Sequence, residues 1–461
     1  MSSHFHDECA VFGIWGDAEA ARMTYLGLYA QQHRGQESSG IVTLRSTNSH
    51  LVHKGLGLVG EVFSEDVLRS LEGAAAIGHN RYSTTGENLI ANAQPLTATL
   101  QSGPIAIAHN GNIVNAAALR ESLIAKGAIF QGTNDTEVVL HLLSRNASAD
   151  LIASLKETSH ILEGAYSFVI LSHNRLVAMR DPYGFRPLVL GRRGHATVLA
   201  SETCAFDLIG AEYVREIEPG EIFWVDEAGE HSERLPKKVE KTAHCVFEHV
   251  YFARPDSLVF GRSVYEARKA MGRELAKESP TDADIVIPVP DSGVPAALGY
   301  STESGIPFEL GIIRNHYIGR TFIQPSQSIR SFGVKIKLNP QAHILSGKRV
   351  IVMDDSLVRG TTSQKVIHLI RQAGAREIHF RLACPPTIGS CFYGVDTPKR
   401  SHLIAATKTI EEIRTYIGAD SLAYLSHEGL MRAVGANHAG GFCAACFTGR
   451  YPTDLFGLDR E

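Results

Sequence analysis

Cys9 stands in Asp7-Glu-Cys-Ala-Val-Phe-Gly13, at the head of a strand-like run. Alone, such a thiol is as readily inert core as nucleophile. Polar clusters follow it: Gln32-His-Arg-Gly-Gln-Glu-Ser-Ser-Gly40, Gly78-His-Asn-Arg-Tyr-Ser-Thr-Thr-Gly86, Ala108-His-Asn-Gly-Asn112 and Asn134-Asp-Thr-Glu137. Each by itself reads as a turn rich in Gly, Asn and Ser. Together, within one domain's length of a thiol, they are hard to dismiss as turns.

A second chemistry is written in Val350-Ile-Val-Met-Asp354-Asp355, followed by a loop ending Gly360-Thr361-Thr362. Carboxylates at a strand's end can bind ribose hydroxyls and neutralise a metal's charge. The loop then presents backbone N–H groups and two hydroxyls where a helix begins, which suits a phosphate dianion. Paired aspartates alone are usually a solvated turn; with an apolar strand before and a helix after, they rarely are. A third pattern is Cys443-Ala-Ala-Cys446, with Cys245 and either Cys384 or Cys391 as further thiols. Four thiolates suit Zn²⁺ or an iron–sulfur cluster equally well. Finally, Arg314 to Ile323, continuing to Lys335 and Lys337, interleaves cations with aromatic residues. That reads as an exposed basic loop or as a lid over an anionic substrate.

The elements that must carry these groups differ between the two halves. Before residue 226, short runs such as Ile105–Ala108, Phe168–Leu171, Val198–Ala200 and Ile222–Val225 read as strands broken by turns. The stretch from Asp226 to Lys241 has nine charged residues in sixteen and reads as a solvated loop near a domain boundary. After it come strand–loop–helix units: Ile285–Pro290 into Asp291-Ser292-Gly293 and a helix near Ala296, then Val350–Met353 into a helix with Val366, Ile367, Leu369 and Ile370 on its apolar side, closed by Gly374. Strands alternating with helices predict a parallel sheet with ligands at its carboxyl ends.

The 461 residues, 44 % hydrophobic and 20 % charged with a net charge of −4, suit a multidomain globular chain. They exclude intrinsic disorder and nucleic-acid binding through bulk positive charge. No window approaches the ~18–20 apolar residues of a membrane span. The start lacks the features of a secretory or transit signal, and seven cysteines, sparse and odd in number, argue against a disulfide scaffold. The expectation is a cytoplasmic protein without membrane or nucleic-acid partners.

The order Cys-x-Val-Phe-Gly, QHRGQES, GHNRYSTTG, HNGN and NDTE resembles the glutaminase domain of N-terminal-nucleophile amidotransferases. The resemblance implies an α+β domain folded as an α-β-β-α sandwich and a mature chain that begins at its nucleophile. A thiol with pKa ~8.5 needs a base, and a free α-amino group with pKa ~7.7–8 supplies one. Residues 1–8 are therefore expected to be a propeptide. Carried over motif by motif, Cys9 attacks glutamine, Asn110 and Gly111 form the oxyanion hole, Arg81 clamps the α-carboxylate and Asp135 takes the α-ammonium. For Arg81 and Asp135 the plainer alternatives are a solvated turn and a helix N-cap.

The segment through Asp354, Asp355, Gly360, Thr361 and Thr362 resembles the phosphoribosyl-pyrophosphate signature of type I phosphoribosyltransferases, an α/β fold. Asp291, Ser292 and Gly293 fall in what resembles their pyrophosphate loop. The resemblance implies Mg²⁺ at Ser292, Asp354 and Asp355, a 5′-phosphate at Thr361 and Thr362, and closure of a lid carrying Arg314, Lys335 and Lys337. The contexts CVFE…YFARPDS, CFYGVD and GGFCAACF resemble the cluster-bearing branch of the glutamine phosphoribosylpyrophosphate amidotransferases. That branch implies a [4Fe–4S] cluster on Cys245, Cys391, Cys443 and Cys446, leaving Cys204 and Cys384 as buried thiols.

The resemblance runs from Cys9 to Pro452. It implies glutamine hydrolysis coupled to ammonia transfer onto phosphoribosyl pyrophosphate, a homotetramer, and feedback inhibition by purine nucleotides. The implied division is 1–8 propeptide, 9–240 glutaminase, and 241–461 phosphoribosyltransferase with a cluster-binding end. Two rivals are a related amidotransferase with another acceptor and a cluster-bearing phosphoribosyl-pyrophosphate or nucleotide sensor without turnover.

Overall fold

The structure is a computed structural model that describes residues 9–46, 49–82, 89–146, 150–315, 338–436 and 441–458. Residues 1–8, Lys335 and Lys337 lie outside them.

The first half builds two antiparallel sheets. One has seven strands in the order Glu212–Glu216, Val189–Arg193, Ala196–Ala200, Ala10–Trp15, Ala75–Arg81, Ser38–Ser46, Ser49–Leu56. The other has six: Gly229–Arg234, Glu221–Asp226, Leu176–Arg180, Gly164–Ser172, Gly103–Ile113, Leu96–Leu100. Residue alternation along the strands divides their side chains between two faces. Val11, Val42 and Ile77 meet Ala106, Val169 and Leu171 between the sheets. Phe12, Ile14 and Val198 turn the other way onto the helix Ala20–Ala30. On the far side, Ile107, Phe168 and Ile170 pack on Val138, Val139 and Leu155 of the helices Glu137–Arg145 and Leu151–Ile161. Three apolar layers between four structural ones make the α-β-β-α sandwich. The charged run after Asp226 is not wholly a loop. Gly229–Arg234 is an edge strand, and its charges face solvent, where they guard an unpaired edge.

The second half is a parallel four-stranded sheet, ordered Ile285–Pro288, Arg349–Asp354, Glu377–Leu382, Ser421–Tyr424. One face buries Val286, Ile351 and Met353 against Met271, Leu275 and Tyr300 of the helices Val264–Glu278 and Val294–Ser304. The other buries Ile287, Val350 and Val352 against Val366, Ile367 and Ile370 of the helix Thr361–Gln372. The first two helices cross with their backbones touching. A Cβ at Gly272 would run into the Ala296 carbonyl, and one at Gly299 into that of Lys269. This crossing fixes the helix whose first turn follows Asp291–Gly293. Among the described residues no helix is long and apolar enough to cross a membrane.

Gly272→Ala must push the two helices apart. Overpacking of this kind costs about 1–3 kcal/mol, so the midpoint of denaturant unfolding is expected to fall, and an unchanged midpoint would show that the crossing is not tight.

Candidate active sites and a thiol-lined cavity

Cys9 immediately precedes the central strand Ala10–Trp15, and its thiol lies buried with Sγ 3.5 Å from the Tyr82 carbonyl oxygen. Its own carbonyl accepts from Arg34 Nε at 3.1 Å. Arg34 is fully buried. It donates to Glu202 at 2.5 Å, and both ends of its fork reach Glu248, at 2.9 and 2.7 Å. Glu248 belongs to the second half of the chain, and Arg186 approaches it at 3.4 Å. Glu202 also bonds His33 at 2.8 Å and accepts from Ser257 Oγ and the Arg254 N–H. Burial alone would raise the Glu202 carboxyl, but His33 and Arg34 outweigh it and hold the group well below the usual carboxylate range.

The second sheet brings Asn110 and Gly111 to the same end. Val11 pairs with His79, whose Nε2 lies 2.9 Å from the His109 carbonyl, one residue before Asn110. Asn110 is wholly buried, yet among the described residues neither atom of its side-chain amide has a hydrogen-bond partner. Buried amides without partners are uncommon, and each calls for a reason, of which a bound ligand is one. Gly111 admits no side chain, since a Cβ there would meet the Ala165 carbonyl.

Arg81 ends a buried strand, so the solvated-turn alternative falls away. Its guanidinium lies 3.9 Å from Glu37. Nor is Asp135 a helix cap: Asn134 Oδ1 accepts from the Glu137 N–H, while Asp135 accepts from the Ile113 N–H at 2.8 Å, two residues from Gly111. Burial opposes ionisation of Asp135, but His109 and these hydrogen bonds prevail and lower its pKa.

In the second half, the strand Arg349–Asp354 delivers Asp354 and Asp355, both buried, to the sheet's carboxyl edge. Ser292 Oγ lies 3.5 Å from Asp354 Oδ1. A Cβ on Gly293 would collide with the Met353 carbonyl, so a glycine there lets the two loops meet. Burial and the adjacent Asp355 carboxylate push the Asp354 carboxyl well up. A divalent cation that keeps waters and shares a phosphorylated substrate relieves this pair. Gly360 precedes the helix Thr361–Gln372, which puts Thr361 and Thr362 in its first turn. Arg314 pairs with Asp291 at 2.5 Å on the exposed rim.

Cys245, Cys391, Cys443 and Cys446 line one small apolar cavity with Phe185, Phe247, Tyr393 and Val395. Cys384 is buried in the neighbouring core but outside the cavity's lining, with its Sγ on the Pro385 carbonyl. Two backbone seams assemble this cavity. His244–Cys245 pairs in parallel with Phe442–Cys443, and the Ile388 and Gly389 N–H groups donate to the Cys446 carbonyl. Burial pushes the Cys443 thiol up to about 12 and the Cys446 thiol well above its usual value. Among the described residues, no group of three or more His, Cys, Asp or Glu is arranged to hold one metal ion.

Sequence reasoning missed Arg34, Glu202, Glu248 and Arg186 as a working set. Arg34 and Glu248 stand inside the polar and cysteine-bearing motifs, but only a buried ion cluster between distant segments gives them a role.

Sandwich, parallel sheet and sites define an N-terminal-nucleophile glutamine amidotransferase joined to a phosphoribosyltransferase. Residues 79–207 match the family described as "Glutamine amidotransferase domain", and residues 263–389 that described as "Phosphoribosyl transferase domain". The chain is 54 % identical to amidophosphoribosyltransferase 1, chloroplastic, of Arabidopsis thaliana over 97 % of its own length and 79 % of the relative's. It is 47 % identical to the Bacillus subtilis amidophosphoribosyltransferase over 98 % and 95 %. A solved B. subtilis glutamine phosphoribosylpyrophosphate amidotransferase complexed with ADP and GMP superposes with a TM-score of 0.92 at 46 % identity, covering 98 % of this chain and 99 % of that one. The chain belongs to the amidophosphoribosyltransferase family.

Because Glu202 is held below its unfolded value of ~4.3, the stability it contributes is complete above that pH and drains away as pH falls below it. Glu202→Gln is expected to cost about 3–5 kcal/mol at pH 7 and to flatten that part of the acid limb. Denaturant midpoints measured from pH 7 to pH 3 check both.

Proposed function

We propose that this chain makes 5-phosphoribosylamine, pyrophosphate and glutamate from phosphoribosyl pyrophosphate and glutamine, the committing step of purine synthesis. The observation that carries the reading is the buried amide of Asn110, without a hydrogen-bond partner among the described residues, on the strand Gly103–Ile113 that His79 ties to the sheet Cys9 leads into. In a glutamine site that side chain, together with the Gly111 N–H, receives the negative charge that forms on the substrate's amide oxygen.

Cys9 Sγ attacks the amide carbon, and its proton passes to the free α-amine of a chain that starts at Cys9. The same proton then leaves with ammonia, and water cleaves the glutamyl thioester. Arg34, gripped by Glu202 and Glu248, holds the Cys9 carbonyl still while the α-amine works. Arg81 and Asp135 bind the two ends of the amino acid. Residues 1–8 are accordingly proposed to be a propeptide, and the change between halves is placed near residue 240.

At the second site ammonia attacks ribose C1 and pyrophosphate departs. Asp354, Asp355 and Ser292 would hold Mg²⁺, which neutralises charge on the departing group. Thr361 and Thr362 take the 5′-phosphate. Asp291 and Arg314, with Lys335 and Lys337, are proposed around the pyrophosphate. The four cavity thiols are proposed to carry a [4Fe–4S] cluster, which supplies structural cross-linking. Their convergence on one cavity enclosed by apolar side chains supports it. Feedback by purine nucleotides is supported by the ADP and GMP of the B. subtilis relative. A homotetramer and a cytoplasmic setting complete the proposal.

Asn110→Ala is expected to cut glutamine-dependent turnover ~10²–10³-fold while ammonia-dependent turnover stays within about a factor of two. Equal losses in both would remove Asn110 from the glutamine site. Anaerobically purified protein should contain stoichiometric iron and sulfide. Zinc in their place would sink the cluster.

A further inference from the structure

One short loop of the second half touches both the thiol cavity and the strand that carries Asn110 and Gly111. Cys391 lines the cavity, and the Tyr393 N–H lies 3.3 Å from its Sγ. One residue earlier, the Phe392 carbonyl accepts from Asn112 Nδ2 at 2.9 Å, across 280 residues of sequence. The Tyr393 carbonyl accepts from buried Arg186 Nε at 2.9 Å, and the Tyr393 ring stacks on Phe185 with centroids 4.2 Å apart. Gly394 then lies directly on Gly111. A Cβ at Gly394 would sit 2.9 Å from both the Cα and the carbonyl carbon of Gly111. Its φ of +104° suits glycine alone.

Gly111 is boxed in from behind as well, because its own Cβ position is filled by the Ala165 carbonyl. Its peptide plane is therefore trapped between the neighbouring strand and the 391–394 loop. An oxyanion donor acts only if its N–H is already aimed where charge develops, and a displacement of about 1 Å can cost ~10²-fold in rate.

The geometry points to Gly394 and the Phe392 carbonyl as positioning groups for the glutaminase oxyanion hole, supplied by the phosphoribosyltransferase half. They touch neither substrate. They act by fixing the Gly111–Asn112 backbone, so the hole is incomplete until the second half has docked. The inference rests on the oxyanion role proposed for Asn110 and Gly111.

The test uses full-length, correctly processed Gly394→Ala and Asn112→Ala beside Asn110→Ala. Gly394→Ala should lower kcat for glutamine hydrolysis ~10–100-fold, with KM for glutamine within about threefold. Asn112→Ala should lose ~2–10-fold, the worth of one hydrogen bond. Ammonia-dependent turnover should be unchanged in both. Alkylation of Cys9 by iodoacetamide, in which Sγ displaces iodide and no oxyanion forms, should keep its wild-type rate. A merely structural lesion slows or scrambles every one of these readouts. Unchanged glutamine kcat in Gly394→Ala, or parallel loss of ammonia-dependent turnover in both loop variants, overturns the inference. If Asn110→Ala also spares glutamine turnover, the oxyanion assignment falls and takes this one with it. If Asn110→Ala is crippled and Gly394→Ala is not, only the loop's role falls.

Discussion

Arg34 is the residue on which the two halves depend. A guanidinium with no exposure to water is tolerable only when its charge is matched and its donors are used. Here Glu202 and Glu248 match it, Arg186 balances the surplus, and Nε is left to grip the carbonyl of Cys9. Because one carboxylate comes from each half, the cluster cannot be completed by either half alone. The same ions that bury the interface hold the Cys9 carbonyl. That economy makes the amidotransferase half depend on the whole chain, although every group proposed to touch glutamine lies in its sandwich.

The candidate reactive residues could be named from the sequence because their types and motif order resemble those of a known family. Cys9 and Asn110-Gly111 gained their candidate roles only from the order of several motifs, whereas two aspartates between an apolar strand and Gly360-Thr361-Thr362 suggest a phosphate site by themselves. The parallel sheet was equally readable, since Val350–Met353 is buried on both faces and so is continuously apolar. What was not legible depends on spatial neighbours. No spacing rule links Arg34 to Glu248 or Asn112 to Phe392, and the charged stretch after Asp226 hid an edge strand because edge strands carry charge. The choice between Cys391 and Cys384 also lay beyond composition. It turns on which side of a loop faces the cavity.

Glycine serves two separate purposes in this chain. At Gly272 and Gly299 it lets helices meet backbone to backbone, which holds the helix after Asp291–Gly293 in place. At Gly111 and Gly394 it lets two polypeptide segments from different halves press together where a side chain would hold them apart. Both are constraints of contact, and both lie behind a site, outside the space a substrate would fill.

The parallel pairing of His244–Cys245 with Phe442–Cys443 carries a consequence for biogenesis. It joins segments about two hundred residues apart, and such long-range pairing is slow and must await both partners. On the ribosome the sandwich, complete by residue 234, can collapse while the last cysteines are still unmade. The thiol chamber can close only after synthesis has passed residue 446. Any prosthetic group it receives must therefore arrive after residue 446 has been made, when the first half has begun to fold without Glu248 and its other wall in place.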